Sequence, residues 1–199
     1  MPSAPSSAQR PGPTRADVSA IDDLIERLRD DSAEHDLHPP ATEEDIRRTE
    51  NAIGEPLPPS YQAFVRELTN GAYLYGVQEV APVGDVEHRV PIHRFERMGG
   101  VDPDEPLAYR DGGATVRHRE TMVFGGDSNG NEWCFVTARP SAEGEYEVAY
   151  LDTGSRKLYA PMRSFAHWLE WLTDHPEDEV IRTYYVDDDE ILYDEMMLG

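Results

Sequence analysis

The chain has 199 residues but only one cysteine, Cys134, and only one lysine, Lys157. A single thiol excludes an internal disulfide and a thiolate metal cluster. Apolar runs are short, and none approaches the roughly 20 residues that a helix needs to cross a bilayer. The N-terminal stretch MPSAPSSAQRPGPTR has no apolar centre of the kind a signal peptide carries. These absences lead to the expectation of a soluble, cytoplasmic protein. Positive charge is also scarce: 18 basic against 40 acidic residues give a formal charge of -22. Such a chain repels the phosphates of nucleic acids and of anionic lipid, so neither a nucleic acid nor a membrane is expected as partner. A cationic partner, in contrast, is attracted.

Signatures of catalysis are missing as well. No G-x-S-x-G nucleophile elbow occurs, and Cys134 lies between Trp133 and Phe135 in an alternating strand pattern, which reads as a packed thiol. His88 and His93 are spaced without a third zinc ligand. His118-Arg119-Glu120 has the H-x-E shape of zinc deaminases but lacks their P-C-x-x-C. In GGDSNGN, Asp127, Asn129 and Asn131 alternate as calcium ligands would. However, the glycine falls at the fourth loop position and Ala138 stands at the twelfth, where a calcium loop needs Gly at the sixth and Glu at the twelfth. The segment reads instead as a hairpin turn. No catalytic residue, metal site or cofactor site is therefore expected. An enzyme would need a pocket on which His93, His118 or Glu120 converge.

What is present is a sequence of well-punctuated elements. Residues 1–16 are rich in Pro, Ser and Ala and are expected to be disordered. Within 17–40, Ile21, Leu24, Ile25 and Leu28 make one helical stripe over Val18 to Arg29, and His35, His38, Pro39 and Pro40 read as a linker. Thr42 with Asp45 three residues on marks a helix start, and Gly54 marks its exit. Pro58 and Pro59 then favour an extended entry into a second helix with a stripe of Tyr61, Phe64, Val65 and Leu68. Asn70-Gly71 stops that helix. From 72 to 160 the runs AYLYGVQEV, HRVPIHRFERM, TMVFGG, NEWCFVTA and YEVAYLDT read as strands between turn clusters. A last helix is expected over Ser164 to Leu172, with Phe165, Trp168, Leu169 and Leu172 on one face. The fold class is α+β: N-terminal helices packed on an antiparallel β-sheet meander, with a closing C-terminal helix. The tail, 173–199, carries ten acidic residues against Arg182 alone, a net of -9, yet holds three tyrosines and two methionines. It is expected to pack back on the domain, the alternative being a docking segment.

The segment TEEDIRRTENAIGEPLPPSYQAFVRELTNGA resembles the signature of the SUKH superfamily, which includes yeast glucan-synthesis regulators and many bacterial immunity proteins. Its positions here are Ile46, Glu50, Gly54, Leu57-Pro58, Tyr61, Phe64-Val65 and Asn70-Gly71. Phe124-Gly125, Gly130 and the Ser164-Phe165…Trp168-Leu169 helix are also similar to the family, so that the resemblance covers a domain of 41–172. It implies an α+β domain with no known catalytic apparatus. It also implies an antidote that neutralises a toxin, often a nuclease or deaminase, by direct binding. The alternative is a regulatory or scaffold protein for cell-wall or signalling partners. A nuclease surface is cationic, so the expected partner is a basic toxin protein. The candidate contact residues are Asp127 on the hairpin and the run Asp187, Asp188, Asp189 and Glu190, as phosphate mimics. The signature residues themselves are expected to shape the chain and fill the core.

Overall fold

A computed structural model describes residues 15–76, 78–94, 102–110, 115–127 and 130–175. Helix α1 (Arg15–Asp30) buries Ile21, Leu24, Ile25 and Leu28, the stripe that the periodicity marked. Helix α2 (Glu43–Ile53) opens on a complete capping box: Asp45 N–H donates to the Thr42 hydroxyl oxygen at 3.2 Å, and Thr42 N–H donates to the Asp45 carboxylate at 3.1 Å. It leaves through Gly54 at φ +80°, a backbone that a side chain would strain. Thr42→Ala is expected to cost about 1 kcal/mol, readable as a lower urea midpoint with an unchanged slope.

Helix α3 (Pro59–Glu67) begins at a proline, as its sequence implied, and buries Tyr61, Phe64 and Val65. The signature residues around it hold chain segments in place. Glu50 Oε1 accepts from Leu57 N–H at 2.9 Å and from Gln62 Nε2 at 3.1 Å, so one carboxylate clamps the α2–α3 turn. Asn70 accepts from Val83 N–H at 2.8 Å and donates to Val83 C=O at 3.1 Å. Tyr61 donates its hydroxyl to Ala81 C=O at 2.6 Å. Helix α4 (Phe165–Asp174) is capped by Ser164, whose hydroxyl oxygen accepts from His167 N–H. Helix α1 packs against both α3 and α4.

Ten strands are described. They are β1 (His35–Leu37), β2 (Ala72–Leu74), β3 (Gln78–Val80), β4 (His93–Arg94), β5 (Pro106–Tyr109), β6 (Thr115–Arg117), β7 (Thr121–Asp127), β8 (Glu132–Val136), β9 (Glu147–Asp152) and β10 (Lys157–Met162). They form one sheet in the order β1-β2-β3-β7-β8-β9-β10-β5-β6, with β4 also paired to β7. The centre, β7-β8-β9-β10, is the expected antiparallel meander. Helices N-terminal to it and α4 after it complete an α+β architecture.

Four details differ from the sequence reading. His35–Leu37, read as linker, is an edge strand paired with Ala72–Leu74. AYLYGVQEV is not one strand: β2 and β3 fold back on each other, with Tyr75 at φ 51° and Gly76 at φ 68° in the turn. HRVPIHRFERM is strand only at His93–Arg94 among the described residues. β5 runs parallel to β10, so the sheet is mixed. The disordered segment expected at the N-terminus lies outside the described residues up to position 14, and α1 starts at Arg15.

Because side chains alternate along a strand, the central strands bury both faces. Phe124, Trp133, Phe135, Val148 and Tyr150 face the helices and form the main core with Tyr61, Phe64, Phe165 and Trp168. Val123, Cys134, Val136, Ala149 and Leu151 face the other way, where Leu107, Tyr109 and Val116 of the β5–β6 hairpin cover them.

Candidate functional site

That hairpin covers only part of the outer face. Over β3, β7 and the start of β8 the sheet carries a cleft of about 660 Å³. Its floor is Val123, Gly125, Gly126 and Glu132; its wall is the strap Arg89–Val90–Pro91 with His93. Alternation explains how Glu79 reaches it. Gln78 and Val80 point into the core, where Gln78 accepts from Trp133 Nε1 at 2.7 Å, so Glu79 between them faces out. The close β3–β7 approach explains the glycine floor: a Cβ on Gly125 would press into the Glu79 carbonyl oxygen, and one on Gly126 would sit 2.9 Å from the Asn131 carbonyl oxygen.

Asp127 lies at the end of β7 and lines the cleft. Its carboxylate accepts from Tyr150 Oη at 2.5 Å and from Asn131 N–H at 3.0 Å, which ties the hairpin together. The turn is thus an antiparallel β7–β8 connection, with Gly130 at φ 87°. Asp187, Asp188, Asp189 and Glu190 lie outside the described residues, as does most of the acidic tail.

Glu132 is one of the cleft residues that sequence reasoning missed, with Glu79 and Arg89. It opens β8 at the position where GGDSNGN ends, and its place in an alternating run (Glu132, Cys134, Val136 against Trp133, Phe135) was the signal available. Burial pushes its carboxyl up to about 7. Oε2 is shielded from solvent and has no hydrogen-bond donor within reach among the described residues. Across the strap, Arg89 Nη1 is buried without an acceptor, while Nη2 stands 3.6 Å from Asp36 of β1. Val90, at 63% exposure, is the one large apolar side chain that the described residues expose, and it stands at the rim.

An acid whose folded pKa lies above its unfolded value destabilises the fold as pH rises. Between about 4.5 and about 7 the unfolded chain ionises Glu132 while the folded chain keeps it protonated, so stability falls across that window and then levels off. Glu132→Gln removes this penalty. The variant is expected to melt higher than the parent at about pH 8, with the difference vanishing near pH 4, as read by calorimetry over the pH series.

The other candidates do not assemble into chemistry. His93 lines the cleft, with its Nδ1 at 2.9 Å from Pro91 C=O, but neither His118 nor Glu120 does. His118 is buried in the turn before β7, and burial lowers its pKa. His88 is exposed beside Glu87. Cys134 is fully buried, its thiol is pushed far up by burial, and it donates to Ala149 C=O. Among the described residues no three His, Cys, Asp or Glu side chains gather as a metal site would require. No described helix is long and apolar enough to cross a membrane. A second hollow of about 960 Å³ lies across the strap, lined by Arg48 and Thr49 of α2, Asp85 and Arg94. Both arginines are engaged: Arg94 pairs with Glu55 at 3.1 Å and donates to Ile53 C=O, and Arg48 stands 3.9 Å from both Glu44 and Asp45.

A helix layer on one sheet face, an acidic cleft on the other and a clamp-and-cap α2–α3 unit define the α+β domain. The model of the SMI1 / KNR4 family (SUKH-1) matches residues 40–171, and the chain belongs to that family. No curated protein matches the chain.

Proposed function

We propose that this protein is an immunity-type binder that neutralises a cognate toxin by occupying its cationic surface, without catalysing a reaction. The observation that carries this reading is the charge of -22 on a member of a family of immunity proteins and related regulators. A nuclease or deaminase must hold phosphates with a cationic surface, and an acidic protein competes for it. Long-range attraction speeds the encounter, and salt weakens it. The sheet face that the described residues leave uncovered, with Glu79 and Glu132 at its cleft, is the face offered to such a partner. The test is a pull-down from native cell extract at low and high salt. The expected result is one basic protein, retained at low salt and depleted at high salt. A set of wall or signalling proteins, retained regardless of salt, would replace this reading with that of a scaffold.

A further inference from the structure

Strand β1 has three residues, stands at one end of the described sheet and is paired there with β2. Its first side chain adds a contact that the ladder does not provide. The Tyr75 N–H donates to His35 Nδ1 at 3.3 Å, and the two rings meet edge-on at 4.5 Å. Tyr75 turns the chain from β2 towards β3 at φ 51°, a left-handed backbone that an aromatic residue rarely adopts, so the turn depends on what holds it. An imidazole accepts at Nδ1 only while neutral, because the charged ring carries a proton on both nitrogens. A charge on His35 therefore sets two N–H donors against each other. The other ring nitrogen, Nε2, is shielded from the water that would solvate that charge.

We propose that His35 is an acid-released latch on the sheet edge: neutral, it holds β1 to the β2–β3 turn, and protonated, it lets both go. The release reaches the cleft through one further pair. Asp36, the next residue of β1, stands 3.6 Å from Arg89 Nη2 on the strap that walls the cleft. When β1 leaves β2 that pair parts, and the strap loses its tie to the sheet edge. The two ends of the strap stay pinned, because Asn70 holds Val83 and the Ile92 N–H donates to Pro82 C=O at 3.0 Å. Acid thus loosens the wall of the cleft while the domain remains folded. The latch operates whether or not a partner occupies the cleft.

The groups that face the latch come from each element around it. Burial lowers the pKa of His35 and outweighs the Glu34 backbone carbonyl and the Asp31 and Glu34 charges in the turn after α1, which favour the charged ring. Around Tyr75 stand Thr173 and Asp174 of α4 and Arg27 of α1, and Arg27 and Asp174 pair with each other at 2.8 Å. On β1 itself, Asp36 stands 3.6 Å from Arg89 and 4.0 Å from His38. An imidazole with a lowered folded pKa takes its proton first in the released chain. The latch is therefore fully closed above the unfolded value of about 6.5, loosens as pH falls below it, and changes no further below the folded value.

The experiment is an NMR pH titration of the full chain with labelled histidine, joined to amide exchange corrected for the intrinsic effect of pH on its rate. The expected His35 midpoint lies below that of the same residue in the urea-unfolded chain. The Tyr75 amide and Arg89 side-chain signals should move at that midpoint. Protection of the β1–β2 ladder should fall several-fold between about pH 7.5 and about pH 5, while the β8–β9 ladder keeps its protection. Glu132 shifts global melting in the opposite direction over part of this range, so local protection carries the test. His35→Asn supplies an acceptor that does not titrate, and its β1–β2 ladder should stay protected throughout. His35→Ala removes the acceptor and should show the acid pattern already at about pH 7.5. An intact β8–β9 ladder in each variant reports that the domain is folded. Three results would overturn the proposal: a His35 midpoint equal to the unfolded one, a Tyr75 amide that ignores the titration of His35, or a pH-dependent β1–β2 ladder that persists in His35→Asn.

Discussion

Phe124→Ala is expected to remove about 3–5 kcal/mol of stability, a large share of the roughly 5–15 kcal/mol that a domain possesses. Phe124 is fully buried where the two layers meet. Its ring stacks on Phe135 of β8 at 4.3 Å and meets Trp168 and Phe165 of α4 edge-on at 5.3 and 5.5 Å. Truncation opens a cavity that neither layer closes, because β7 is held on both sides by β3, β4 and β8. Trp133 and Trp168 sit in the same cluster and report its unfolding by fluorescence in urea. A loss below about 1 kcal/mol would mean that the layers close over the gap and that Phe124 is not their keystone. Phe124→Leu, which keeps most of the volume, should cost much less.

Glu145→Ala is expected to cost about 2–4 kcal/mol, an effect that no inspection of neighbouring residues in the chain would suggest. Helix α3 starts at Pro59, and the residue before it, Pro58, has no side-chain group to cap the exposed N–H groups. Glu145, 85 residues away in the turn before β9, supplies the cap: its two oxygens accept from the Ser60 N–H and hydroxyl, each at 2.7 Å. The carboxylate also sits at the positive end of the helix dipole. Alanine leaves two buried donors unsatisfied and loosens α3 from the sheet. Glu145→Gln keeps one acceptor and should fall between the two. Equal urea midpoints for the alanine variant and the parent would show that water caps α3 as well as Glu145 does.

These two residues mark the limit of what the chain discloses locally. Phe124 lay in the run TMVFGG, which was legible as a strand. The part that Glu145 plays was not legible, because it depends on a contact that closes only when the sheet has formed. The same division runs through the fold. The α2 capping box, the Gly54 exit, the proline entry to α3 and the α4 stripe are written within a few residues each, and all are found. Strand β1 is the tripeptide His-Asp-Leu, too short to show a pattern of its own; pairing with β2 makes it a strand. The parallel β5–β10 pairing joins segments some fifty residues apart and leaves no local trace. The site divides likewise. Asp127 was visible as an acid on a hairpin, yet its hydrogen bonds turn inward to Tyr150 and Asn131. Glu132 gains its significance only when the strap bearing Arg89 is laid beside it.

The central claim is neutralisation by binding, and growth is its most direct measure. The basic protein captured at low salt would be induced in a host cell alone and together with this chain. Growth arrest by the basic protein alone, relieved by the parent chain and relieved less by Glu79→Gln/Glu132→Gln, is the predicted result. Arrest that persists with the parent chain present, at matched expression of both proteins, would contradict it.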